Sequence, residues 1–258
     1  MDKIRIQGKA DLRGSINIPG SKNAALPILV ASLLNKENLY IKNIPDLQDI
    51  KSMINLLESF GVNILKNKND LILNASKIKN NIADYDLVRK MRASILVLGP
   101  LLARFKEATI SLPGGCAIGT RPIDIHLDSL SKLGVKFQIE NGYVRGVVKG
   151  DLIGAIINLP FPSVGATENI IMAASLARGI TLINNAAKEP EIIDLAKALN
   201  SMGAKISFSG GDCIKVEGVN SLKEAEHTIM FDRIVAGTYI LAGVMLNKKF
   251  TINNIDPI

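Results

Sequence analysis

Tryptophan is absent from these 258 residues and only 4% are aromatic, so there are few rings on which nucleic-acid bases could stack. Cysteine is scarce too. Cys116 and Cys213 are too few for a disulfide framework, and Cys213, alternating with Ile214 in a predicted strand, reads as inert. His126 and His227 give no metal-ligand spacing and read as structural or exposed. Long apolar runs are missing: the stretch from Ile95 to Ala103 is about half of what a membrane span requires. The first residues, Met1-Asp2-Lys3-Ile4-Arg5, carry no apolar signal-peptide core. A cytoplasmic location without a membrane partner is therefore expected. P-loop, dinucleotide and serine-elbow motifs are missing, and no cofactor and no metal are expected.

What is present is a globular composition, 47% hydrophobic and 21% charged, enough for one large domain or two small ones. There are 31 Lys+Arg against 24 Asp+Glu, a net charge of +7. The lysines are scattered in ones and twos (Lys66, Lys68, Lys77, Lys79, Lys248, Lys249), with no basic helix face. That distribution argues against a nucleic-acid partner. A small polyanionic substrate is the better use of the excess.

The chain is internally repetitive. Apolar helical segments at Ala24–Leu34, Arg92–Arg104 and Ala166–Gly179 are each followed by a short strand, at Asn38–Asn43, Ala108–Leu112 and Thr181–Asn184. A second helix follows each strand and ends at Gly61, Gly134 or Gly203, about seventy residues apart. A strand hairpin comes next, for example Val135–Ile139 with Tyr143–Val148. The second helices carry a half-buried stripe, Ile50, Met53, Ile54 and Leu57 in one unit and Ile192, Leu195, Ala196 and Leu199 in another. Asp46 is the expected cap of the former, and the glycines take the left-handed position that ends each helix. The first helices are apolar on nearly all sides and should lie inside, shortened or kinked by Pro27 and Pro100. A fourth unit starts at Val235–Gly243 and reaches its strand at Phe250–Asn254, so the chain reads as a truncated repeat array.

The units differ most in the connection from strand to second helix. In the middle unit it runs from Leu112 to Asp124 and contains Pro113-Gly114-Gly115-Cys116 and Gly119-Thr120-Arg121-Pro122. A long insertion in an economical repeat is where binding and catalysis tend to reside. Three glycines let backbone approach a ligand, and a thiol near Arg121 and amide-rich turns can ionise more readily. Gly20-Ser21-Lys22-Asn23 opens the first helix, where exposed amides favour anions and Lys22 adds charge; a plain cap by Ser21 or Asn23 is the simpler reading. Ser163-Val164-Gly165-Ala166-Thr167-Glu168 opens the third. Arg92 and Arg121 are available for carboxylate or phosphate.

Together these segments resemble the UDP-N-acetylglucosamine enolpyruvyl transferase (1-carboxyvinyltransferase) family. The matching stretches are Ser21–Pro27, Lys90–Ser94, Leu112–Cys116, Gly119–Asp124, Ser163–Thr167, Glu189-Pro190-Glu191 and Asp232-Arg233-Ile234. The resemblance implies an inside-out α/β barrel of repeated units, with three units complete here and part of a fourth. Residues 22–229 would form one three-repeat domain carrying the catalytic loop 112–122; residues 1–21 and 230–258 would belong to a second, partial domain. The implied reaction moves the enolpyruvyl group of phosphoenolpyruvate to the 3′-hydroxyl of UDP-N-acetylglucosamine, releasing phosphate, as the first committed step of peptidoglycan precursor synthesis. By this similarity Cys116 is the proton donor and fosfomycin-reactive thiol, Lys22 and Arg121 clamp phosphate, and Asn23 steadies the tetrahedral intermediate. Arg92 contacts substrate, and Arg121, Pro122, Ile123, Asp124, Ile125, Phe161, Pro162, Ser163, Val164 and Gly165 line the sugar-nucleotide site. The family's acidic residue beside the 3′-hydroxyl and a carboxylate-binding arginine have no counterpart in this chain, so it is expected to be inactive alone. Rival readings are a shikimate-phosphate enolpyruvyl transferase, which lacks the Pro-Gly-Gly-Cys loop, a non-catalytic paralogue, and an RNA-binding module on a related scaffold.

Overall fold

The computed structural model describes residues 3–8, 13–89, 91–112 and 123–256. After β1 (Ser15–Asn17), the first unit comprises α1 (Lys22–Ala31), β2 (Asn38–Lys42), α2 (Gln48–Phe60), β3 (Asn63–Asn67) and β4 (Asp70–Asn74). The second has β5 (Ile82–Ala83), α3 (Tyr85–Val88), a 3-10 segment at Arg92–Val97, α4 (Leu98–Phe105), β6 (Glu107–Ser111), α5 (Asp124–Lys132), β7 (Val135–Glu140) and β8 (Tyr143–Val148). The third has β9 (Ile156–Asn158), α6 (Val164–Ala174), β10 (Ile180–Asn184), α7 (Pro190–Ser201), β11 (Lys205–Phe208) and β12 (Ile214–Glu217). Then come β13 (Ala225–Thr228), α8 (Arg233–Leu246) and β14 (Thr251–Asn253).

Apolar sequence on every side puts α1 and α6 in the interior: Ala24 to Ala31 and Ala166 to Ala174 are buried without interruption. Pro27 lies within α1, which continues past it to Ala31 and tightens into a 3-10 turn at Ser32–Leu34. The second inner element is not one helix from Arg92 to Arg104. It changes from 3-10 to α at Leu98, where Pro100 lacks the amide that would reach back to Leu96 and the Gly99 amide is turned to a side chain of α6. The third inner helix stops at Ala174, short of Gly179.

The outer helices follow their stripes. Ile50, Met53 and Leu57 are buried with Ile54 packed beside them, and Ile192, Leu195, Ala196 and Leu199 are all buried. Gly61, Gly134 and Gly203 take φ of 103°, 102° and 97°, the left-handed values that release a helix without a Cβ clash. Asp46 does not cap α2. Leu47 holds that position, and the Asp46 carboxylate pairs with Lys51 at 3.0 Å, an exposed attraction that lowers its pKa. Cys213 lies in the turn ahead of β12, half-buried, rather than within a strand.

Each four-stranded sheet contains one strand beyond those expected. The orders are β13-β2-β4-β3, β5-β6-β8-β7 and β9-β10-β12-β11, and the first strand of each is parallel to its neighbour. For two units that strand precedes the inner helix. For the first unit it comes from the far end of the array: β13 pairs with β2, Ala225 opposite Leu39, and closes the three units into a ring. The result is an α/β architecture with helices inside and three separate sheets outside among the described residues. Outside the ring, β1 pairs in parallel with β14, Ser15 opposite Thr251.

Candidate active site at the N-terminal ends of the inner helices

α1, the Arg92–Val97 segment and α6 all begin at one end of the ring, so their unpaired amides gather there. Ser21 Oγ accepts from the Ala24 amide at 3.3 Å and Ser163 Oγ from the Ala166 amide at 3.4 Å, so both serines cap. Lys22, the first residue of α1, is not simply solvated. Its Nζ pairs with Asp49 of α2 at 3.1 Å, and its amide reaches Asp232 at 3.4 Å. The other Asp232 oxygen caps α8, accepting from the Ile234 and Val235 amides at 2.9 and 3.0 Å. One buried carboxylate therefore ties the starts of α1 and α8 together.

A cavity of about 310 Å³ lies where these ends converge, with Asn23, Ala93, Val164, Glu168, Glu191 and Arg233 in its wall. A neighbouring cleft of about 430 Å³ includes Lys22, Asn23, Asp49 and Asp232. Asn23 belongs to both. Arg233 grips Glu191 with two nitrogens, at 3.0 and 3.1 Å, and this bond raises the guanidinium pKa. Glu168, buried on α6, is pushed well above the carboxylate range, first by burial and then by Glu191 and Glu189.

His126 is buried and His227 half-buried, and both are structural rather than exposed. His227 meets Asp194 at 3.1 Å. His126 meets Asn169 at 3.1 Å, and burial, with Arg92 adding to it and Asp124 opposing, lowers its pKa to about 4. The ring packs against Gly165, where a Cβ would lie 3.2 Å from its Cε1. This contact sets the start of α5, with Ile123, Asp124 and Ile125, beside the start of α6, with Ser163, Val164 and Gly165.

The structure thus brings Lys22, Asn23 and Val164 to the two cavities and places Arg92 at the head of its segment, one residue before the cavity-lining Ala93. Ile123, Ile125, Ser163 and Gly165 are half-buried, whereas Asp124, Phe161 and Pro162 are exposed on the approach. Cys116, Arg121 and Pro122 lie outside the described residues. Asp49, Asp232, Glu168, Asn169 and the Glu191–Arg233 pair were given no role from sequence. The Glu189-Pro190-Glu191 and Asp232-Arg233 clusters were the available signal, because buried charges require partners.

Helices inside and sheets outside define an enolpyruvyl transferase fold: the enolpyruvyl transferase NikO from Streptomyces tendae superimposes with a TM-score of 0.82 at 21% identity, over 92% of this chain and 56% of that one. EPSP synthase from Acinetobacter baumannii gives 0.77 at 16% identity, over 94% and 56%. The family model of EPSP synthase (3-phosphoshikimate 1-carboxyvinyltransferase) matches residues 6–258, and the chain belongs to that family. Within it, relatives named UDP-N-acetylglucosamine 1-carboxyvinyltransferase match nearly the whole chain. That of Pelagibacter ubique is 52% identical over 100% of this chain and 62% of its own length, and that of Psychromonas ingrahamii 49% over 96% and 59%. The chain spans about three fifths of the length of the curated relatives it matches.

Proposed function

We propose that this chain serves the transfer of the enolpyruvyl group of phosphoenolpyruvate to the 3′-hydroxyl of UDP-N-acetylglucosamine, in the cytoplasm, for peptidoglycan synthesis. The observation that carries this reading is the 52% identity to a relative of that name across the whole chain. The geometry supports it. Lys22, Asn23 and the capped starts of α1 and α6 present cationic and amide donors to one region, the arrangement that opposes charge gathering on a phosphate or an oxyanion.

In the reaction the 3′-hydroxyl oxygen adds to C2 of phosphoenolpyruvate while C3 takes a proton. Loss of a C3 proton with departure of phosphate then restores the double bond. Cys116 is the C3 proton donor in this reading, Lys22 and Arg121 hold the phosphate, and Asn23 steadies the tetrahedral species. Arg92, Ile123–Ile125 and Ser163–Gly165 hold the nucleotide sugar, with Phe161 and Pro162 at its rim and Arg121 and Pro122 continuing it. Residues 22–229 are the domain that carries this half of the site, and residues 1–21 with 230–258 belong to a second. The Pro-Gly-Gly-Cys loop favours this substrate over shikimate 3-phosphate.

Calorimetric titration tests the assignment. The chain is expected to bind UDP-N-acetylglucosamine saturably and to ignore shikimate 3-phosphate, with Lys22→Ala weakening the phosphoenolpyruvate response. No phosphate is expected from the chain alone. The reverse substrate preference would overturn the assignment, and phosphate release dependent on both substrates would overturn the expected inactivity.

A further inference from the structure

Asn169 lies on α6 and has no exposed surface. Its Oδ1 accepts from the Gly99 amide at 2.7 Å and its Nδ2 donates to the Ile95 carbonyl at 3.0 Å. Gly99 and Ile95 are four residues apart, so the carboxamide is inserted where a helical bond between them would run. This is the junction at which the Arg92–Val97 segment becomes α4. Gly99 has to be glycine for the insertion: a Cβ there would lie 2.4 Å from Asn169 Oδ1 and 2.5 Å from its main-chain oxygen.

The two bonds also fix which way the carboxamide faces, because an amide proton requires Oδ1 and a carbonyl requires Nδ2. The remaining Nδ2 proton points at His126 Nδ1, 3.1 Å away. Nδ1 is therefore an acceptor, and the imidazole proton resides on Nε2. The ring's far edge rests on Gly165. Asn169 thus bonds the junction between the Arg92–Val97 segment and α4, and His126 of α5, and the His126 ring carries the link on to the start of α6.

We propose that Asn169 is a positioning residue for the nucleotide-sugar site. Through Ile95, Gly99 and His126 it sets the mutual placement of Arg92, Ile123–Ile125 and Ser163–Gly165. What those segments bind rests on the functional reading above; the joint itself rests on geometry. Arg92 and Asp124 are the charged groups that act on His126, with opposite signs.

The test pairs calorimetric titration of UDP-N-acetylglucosamine with nitrogen-15 spectra of the His126 ring, in the unsubstituted 258-residue chain and two variants. The unsubstituted ring is expected to be a single neutral Nε2–H tautomer. In Asn169→Ala the ring is expected to become a tautomer mixture, and affinity to fall about tenfold or more through misplacement. Asn169→Asp keeps the acceptor for Gly99 but loses the donor; its ring proton is expected to move to Nδ1 and affinity to fall, and the tautomer change is a readout that a purely structural role would not move. If the alanine variant does not fold, the aspartate variant is read by the same criteria. A ring proton on Nδ1 in the unsubstituted chain would overturn the proposal, as would affinity within about twofold in a folded variant. Absence of binding by the unsubstituted chain would count against the functional reading, and the ring spectra would then decide the joint alone.

Discussion

α6 and α8 have nearly the same character and opposite surroundings. Both are mostly apolar and both are capped by a polar side chain, Ser163 in one and Asp232 in the other. Yet α6 is buried from Ala166 to Ala174, whereas α8 buries only Ala236 and Gly243 and leaves Leu241 at 63%, Val244 at 74% and Met245 at 83% exposure. Composition sets how much a helix gains from burial; the ring around it determines whether burial is available. For α6 the neighbours are α4, α5 and α7, inside sheets that β13 closes. α8 stands outside that closure, with Phe250 edge-on to Tyr239 and, among the described residues, little else against its apolar face.

Substitutions that remove the same kind of side chain from each helix give the largest expected contrast. Ile170→Ala, at a fully buried site, is expected to cost about 2–5 kcal/mol, and Leu241→Ala about 0.5 kcal/mol or less. Denaturant unfolding of both measures the difference; equal losses would mean that α8 is covered in solution.

The polar residues of α6 give a smaller contrast, one that depends on pH. Glu168 has a raised pKa in the folded chain, so the native state holds a proton that the unfolded chain releases, and stability falls as pH rises above the ordinary glutamate value. Glu168→Gln is expected to remove that decline, stabilising the chain at alkaline pH and leaving it almost unchanged at pH 4. His126 has the opposite sign. Its pKa is lowered to about 4, so the unfolded chain binds the proton first, and stability is lost as pH falls from about 6.5 toward 4, by on the order of 3 kcal/mol. His126→Gln is expected to flatten the acid limb of the unfolding curve and leave the alkaline limb alone.

The smallest effect on stability belongs to the exposed face of α8. Val244→Lys with Met245→Lys is expected to shift the unfolding free energy by less than about 0.5 kcal/mol. The same pair should reduce self-association, measured by light scattering across concentration. Unchanged scattering would mean that this face does not drive association.

Patterns within one segment were legible in the sequence; contacts between distant segments were not. The outer stripes, the three left-handed glycines and the burial of the inner segments follow from residue spacing and appear where expected, but the second inner segment is broken at Leu98 and the third ends early at Ala174. A left-handed asparagine also recurs. Asn43, Asn185 and Asn254, with φ of 62°, 55° and 58°, end the same strand in three units, and Leu112 stands there in the unit with the long connection. The parallel strand of each sheet escaped because β5 has two residues and β9 three, too short for an alternating pattern to register. The break in the second inner helix needed Asn169, seventy residues from Gly99, and no local rule contains it. At the site, Lys22 and Asn23 were found from their place at a helix start, whereas Asp49 was missed because an ordinary first-turn acid does not announce its partner.

Closure of the ring also imposes an order on synthesis. β2 is complete at Lys42, but the strand that pairs with its open edge begins only at Ala225. At ribosomal rates of about 5–20 residues per second that edge stays unpaired for on the order of ten seconds or longer. An unpaired edge is a template for intermolecular pairing, so the nascent chain carries its greatest aggregation hazard in its first sheet. Contacts so distant in sequence also slow the final docking step. Chaperone demand in the cell should therefore peak before β13 emerges and drop once it has paired.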